Sequence, residues 1–170
     1  MPEVQFVPFN DIEALSEAID ESTCAVILEP VQGEGGIFPA RKKYLQEVRN
    51  VCDHTETLLV FDEVQCGLGR TGALFAHQYY NVQPDIVALA KGLGGGFPIG
   101  ALLAKEGAAV FEPGDHASTF GGNPLASSAA LAALNELIDG ILVEHSRKVG
   151  SYLPEKLSVL ATVNPRSTEV

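Results

Sequence analysis

The sequence predicts an α/β fold in which a mostly parallel sheet carries helices on both faces. Three observations lead there. Several apolar runs have no polar side, as strands buried on both faces require. Stretches with one apolar stripe at helical spacing alternate with them. Carboxylates, a lysine and glycines collect where the runs end, as expected at the carboxyl edge of a parallel sheet. With 170 residues, 46% of them hydrophobic and 19% charged, the chain is long enough to bury a core as one domain.

The elements follow in order. Asn10 has the form of an N-cap with Glu13 three residues on, opening a short helix through Leu15, Ala18 and Ile19. Cys24 to Leu28 is a continuous apolar run halted by Glu29-Pro30, a fully buried strand. Tyr44, Leu45 and Val48 recur at helical spacing between Arg41 and Val51, and Thr57 to Phe61 is the second strand. A weaker helical stretch covers Ala73 to Tyr80. Asp85 to Leu89 and Ile99 to Ala104 are two further strands, and the longest helices span Pro124 to Ile138 and Ile141 to Leu157.

Eleven basic residues against 22 acidic ones give a net charge of -11, which repels phosphate backbones and anionic lipid; no basic stripe offsets it. Nucleic-acid and membrane partners are therefore not expected. The apolar runs also fall far short of the ~20 residues that cross a bilayer. Met1 to Gln5 carries no export signal, so the cytoplasm is the expected compartment. Cys24, Cys52 and Cys66 read as reduced, mostly buried thiols, and neither they nor the four histidines have metal-ligand spacing.

Four constellations carry chemistry. Leu58 to Phe61 delivers Asp62 and Glu63 at a strand end; by itself this resembles the acidic strand of a nucleotide hydrolase, but the glycine-rich phosphate loop with Lys and Ser/Thr is missing. Lys91 follows an apolar strand and precedes Gly92-Leu93-Gly94-Gly95-Gly96. A lysine at a strand end is ordinarily a solvated charge, yet one drawn toward a pocket beside flexible glycines becomes a nucleophilic amine able to form a Schiff base. Glu29 to Gly36 is a polar, glycine-rich exit from the first strand. His116 to Pro124 sets hydroxyls and glycines ahead of a helix, with Asn123 as N-cap and Pro124 at the first helical position, an arrangement that also suits a phosphate.

Taken in order, EPVQGEGG, DEVQCGLGRTG, KGLGGGFPIGA and HASTFGGNP resemble the class III, fold type I pyridoxal-phosphate aminotransferases from about Val7 to about Val149. The wording FEPGDHASTFGGNPLA is most similar to the acetylornithine-type members of arginine biosynthesis. The resemblance implies that Lys91 is the catalytic lysine that binds the cofactor aldehyde and then shuttles a proton. It implies that Asp62 pairs with the pyridinium nitrogen and Gln65 with the phenolic oxygen of pyridoxal 5'-phosphate, with Glu63 and Val64 completing the segment around the ring. It further implies that Thr119 reaches the cofactor phosphate of a neighbouring subunit in a homodimer. Ser118 would contact substrate, and Glu34 would help the site alternate between an ω-amine and an α-keto acid. No metal is implied.

The reaction implied moves the δ-amino group of N-acetylornithine to 2-oxoglutarate, giving the semialdehyde and glutamate. Ornithine, succinylornithine, 4-aminobutyrate and a carrier-bound lysine are alternative donors, and a non-catalytic remnant is the alternative of a different kind. On this resemblance residues 1–160 correspond to the second half of the cofactor-binding large domain. Residues 161–170 form a truncated or divergent tail with no small domain after them. Glu29, Arg70, His116 and Tyr80 are read as structural.

Overall fold

A computed structural model of the chain describes residues 4–163. Helix α1 (Ile12–Ala18) leads to strand β1 (Ala25–Leu28), then to a two-stranded antiparallel ribbon of β2 (Val31–Gln32) and β3 (Phe38–Pro39). Helix α2 (Lys42–Thr55), strand β4 (Leu58–Asp62), helix α3 (Ala76–Tyr80) and strand β5 (Ile86–Leu89) follow. Strand β6 (Ala101–Ala104) and helices α4 (Pro124–Ile138) and α5 (Leu142–Val163) complete the order. The main sheet runs β1-β4-β5-β6; the first three strands are parallel and β6 is antiparallel to β5.

The α/β fold with a mostly parallel sheet is as expected. Leu59, Phe61, Val87 and Leu89 share one face by strand register and are all buried. They pack in two clusters, one with Tyr44, Leu45, Val48 and Cys52 of α2, the other with Ala130 of α4 and with Leu93 in the turn after β5. On the opposite face Ile27 is 71% and Leu102 67% exposed. The described helices pack on the face that carries Leu59, Phe61, Val87 and Leu89. The reason is chirality: right-handed crossovers that add parallel strands in one direction lay successive helices on the same side.

Local chemistry moves other boundaries. Asp11, not Asn10, caps α1, its carboxylate accepting from the Ala14 N–H at 2.9 Å. Asn10 sits at φ 64° and instead accepts from the Arg41 N–H at 2.7 Å, tying the start of α1 to the start of α2. Asn123 does cap α4, with Pro124 in its first turn. Helix α3 begins only at Ala76, and α5 runs on to Val163, past Leu157 where the periodicity fades. Of the tail expected at 161–170, residues 164–170 lie outside the described residues. Cys52 and Cys66 are buried, but Cys24 is exposed.

At the amino edge of the sheet Asp85 joins three elements. Its carboxylate accepts from the Leu59 N–H at 2.8 Å, from Arg49 of α2 at 2.7 Å and from Lys105 at 3.0 Å. Burial pushes the Asp85 carboxyl up, but those hydrogen bonds outweigh it and hold the group below its ordinary value of 3.8. A carboxyl lowered on folding contributes stability that is complete above its unfolded value and is lost as pH falls through the folded one. Asp85→Asn is therefore expected to cost about 2 kcal/mol at pH 7 and to flatten the acid limb of the stability curve below about pH 4. Urea titrations between pH 3 and 7 check this; parallel curves for the two chains would refute it.

Candidate active site

Because β1, β4 and β5 are parallel, their carboxyl ends deliver Glu29, Asp62 and Lys91 to one edge. Asp62 is the last residue of β4, and its carboxylate accepts from the Val64 N–H at 2.9 Å. That bond turns the chain sharply out of the strand and brings Gln65 back toward the edge. Lys91 comes two residues after β5 and opens a 3₁₀ turn, Lys91–Gly94. Its backbone lies in the left-handed region at φ 45°, which a non-glycine residue occupies at a cost and which the surroundings must enforce. They do so through buried Leu93 and through α4, whose Ala133 lies against Gly95.

The side chains meet at one contact. Lys91 Nζ donates to Gln65 Oε1 at 2.8 Å. The amine thus has a neutral amide oxygen as its partner, and among the described residues it pairs with no carboxylate. Glu34, Val64, Gln65 and Lys91 line a single cavity of about 860 Å³. Thr71, on the same wall, has a buried Oγ1 with no hydrogen-bond partner among the described residues. Arg70 lines the cavity too, while Glu29 accepts from the Gly33 N–H at 3.3 Å. Cys66, next to Gln65, is pushed up to about 11 by burial and stays a thiol at neutral pH.

Other candidates lie elsewhere. Glu63 is fully buried and faces α3: Oε2 accepts from the Ala76 N–H at 2.6 Å, and Oε1 from the His77 N–H at 2.8 Å and from its ring Nδ1 at 2.9 Å. It supplies the cap that Phe75 cannot give α3. With both oxygens occupied, Glu63 acts on the fold around the site, not on a ligand in it. Ser118 and Thr119 stand on an exposed loop outside the cavity, where Ser118 Oγ accepts from the Gly121 N–H at 2.9 Å. No group of three His, Cys, Asp or Glu residues among those described could hold a metal. Nor is any single described helix long and apolar enough to cross a membrane.

Sequence reasoning missed three contributors: Glu63 as a helix cap, Gly33, and Arg147 of α5, whose Nε donates to the Gly72 carbonyl at 3.0 Å. Only the glycines of DEVQCGLGRTG signalled the last. An added Cβ at Gly72, whose φ is 80°, would press within 3.0 Å of Arg147.

Would pyridoxal phosphate fit here? It demands an accessible primary amine not locked to a carboxylate, an acid for the ring nitrogen and a donor for the phenolic oxygen. Lys91 and Gln65 provide the amine and the amide donor on the cavity wall, while Asp62 supplies the acid from the end of β4 on the same sheet edge, outside the residues that line the cavity.

The family model described as aminotransferase class-III matches residues 2–170. The chain is 57% identical over 156 residues to an acetylornithine aminotransferase of Caldanaerobacter subterraneus, covering 92% of this chain and 40% of that protein. It is 52% identical to a succinylornithine transaminase of Photorhabdus laumondii, covering 93% of this chain and 40% of the relative. The structure superposes with a TM-score of 0.88 on an ornithine aminotransferase from Toxoplasma gondii, solved with partial occupancy of PLP at the active site. That match has 39% identity and covers 92% of this chain and 38% of the other. The chain therefore spans about 40% of the length of the curated relatives it matches.

Proposed function

The chain belongs to the class-III aminotransferases, and on that premise we propose that it carries the lysine-bearing part of a pyridoxal-phosphate site that transfers the δ-amino group of N-acetylornithine to 2-oxoglutarate. The observation that carries this is the Lys91 amine, held at 2.8 Å by Gln65 at the sheet edge where Asp62 ends its strand. When bound, pyridoxal phosphate supplies an aldehyde that receives the amino group and a ring that spreads the negative charge developing on the substrate carbon.

The chain's own residues do the rest. Lys91 Nζ takes the proton from the carbon bearing the amino group and returns it on the other side of the transfer. Gln65 orients that amine through Oε1, and its Nε2–H is the donor for the phenolic oxygen. The Asp62 carboxylate keeps a proton on the ring nitrogen by pairing with its positive charge. Glu34, exposed at the cavity, meets the polar part of the substrate. Ser118 and Thr119, on a loop outside this cavity, serve a second copy in a homodimer, Thr119 at the phosphate and Ser118 at the substrate. A cytoplasmic place in arginine biosynthesis goes with this reading.

A second donor class is favoured by one observation: relatives of similar identity are named for acetylornithine and for succinylornithine. Both donors share an acylated ornithine, so the test ranks them. The chain is given pyridoxal phosphate, 2-oxoglutarate and in turn N-acetylornithine, N-succinylornithine, ornithine and 4-aminobutyrate, and glutamate is measured. N-acetylornithine is expected to give the highest kcat/KM. A higher value for another donor moves the assignment to it, and absence of both glutamate and cofactor uptake marks a non-catalytic remnant.

A further inference from the structure

We propose that Gly33 is a positioning residue for Lys91: its missing side chain lets the Gln65 amide occupy the place from which it holds the lysine amine. This rests on the reading of Lys91 as the reactive amine. Gly33 is buried at the turn leaving β2, and its backbone is held from both directions. Its N–H donates to Glu29 Oε2 at 3.3 Å, while its carbonyl accepts from the Gly36 N–H at 3.1 Å and the Ile37 N–H at 3.2 Å. A Cβ built on Gly33 would lie 2.5 Å from both Nε2 and Oε1 of Gln65, inside any real contact distance.

The glycine is therefore required for space. Gly33 is absent from the residues with positive φ, so its backbone suits any residue. Of the two sides of the overlap, the turn is pinned and the amide is the end of a flexible side chain. An added methyl group moves the amide, and the amide is the partner of Lys91 Nζ at 2.8 Å. The ribbon that carries Glu34 into the cavity thus also sets where the amine is held, through one van der Waals contact and one hydrogen bond.

The test is a double-variant cycle on the full chain. Wild type, Gly33→Ala, Gln65→Ala and the double variant are labelled with limiting acetic anhydride. Acetylation of Lys91 relative to exposed Lys42 is read by mass spectrometry. Freeing the amine from its hydrogen bond is expected to raise the Lys91 ratio about threefold in Gly33→Ala and equally in Gln65→Ala, with no further rise in the double variant. An unchanged ratio in either single variant overturns the proposal, as does a Gly33→Ala effect that keeps its full size without Gln65. Should Gly33→Ala not fold by circular dichroism, recovery of the fold in the double variant supports the contact, and failure to recover refutes it. Cofactor capture plays no part in this cycle. A chain that ignores pyridoxal phosphate would end the functional reading while the cycle still decides the role of Gly33.

Discussion

The Lys91→Ala chain, incubated with pyridoxal phosphate and reduced with borohydride, should yield no pyridoxyl group on the peptide spanning position 91, whereas the unaltered chain should carry one there. The selectivity follows from what each lysine amine touches. Lys43, Lys105, Lys148 and Lys156 pair with Glu47, Asp85, Glu144 and Glu155, so condensing any of them with an aldehyde breaks an ion pair. Lys42, at the start of α2, is not on the cavity wall. Lys91 alone among the described lysines faces the cavity, with a neutral amide as its partner. Lys91→Arg should fail equally, because a guanidinium keeps the positive charge but offers no primary amine. Peptide mapping by mass spectrometry reads the result. Label scattered over surface lysines, unchanged in Lys91→Ala, would refute the assignment.

Glu63→Ala should cost about 3 kcal/mol of folding stability, the largest effect expected from any single polar substitution in the chain. Three donors converge on its two oxygens: the Ala76 and His77 N–H groups and the His77 ring. Alanine leaves all three without a partner in a fully buried site and opens a void where the carboxylate stood. Gly67 packs against Glu63, with an added Cβ only 2.8 Å from its carbonyl, so the loop cannot simply close over the gap. Glu63→Gln should cost about half as much, because the amide keeps one acceptor and turns its NH₂ toward donors. Chemical denaturation of the three chains decides it. Losses within ~0.5 kcal/mol of zero would show that water replaces the carboxylate. Since residues 63–76 also carry Gln65, loss of this cap should loosen the site together with the fold.

The contrast between Asp62 and Glu63 shows how far residue identity reads through to role. Both are carboxylates at the end of an apolar strand, and residue type by itself does not tell them apart. Strand alternation does. Asp62 belongs to the sheet face that the described helices leave open, and remains partly exposed. Glu63, past the last paired residue, turns inward and is consumed by α3. The partner that settles this lies 13 residues away in sequence, and no local spacing announces it. Gly33 is similar. It reads as a turn glycine, yet its reason is the Gln65 amide 32 residues on, with no demand from its own φ. The direction of winding was hidden too, because buried strands look alike whichever side their helices take.

What the sequence determined by itself was the alternation of apolar runs and amphipathic helices, the α4 start at Asn123-Pro124, and the collection of Asp62, Glu63 and Lys91 at strand ends. These are local properties, set by side-chain periodicity, capping chemistry and proline geometry within a few residues. The tertiary structure alone decided which of the candidates share the cavity with Lys91, which face of the sheet is covered, and that Glu63, Asp85 and Gly33 act on elements far along the chain. Those outcomes depend on distances between segments that only the packed sheet brings together, and a glycine or carboxylate carries no mark of the partner it will meet.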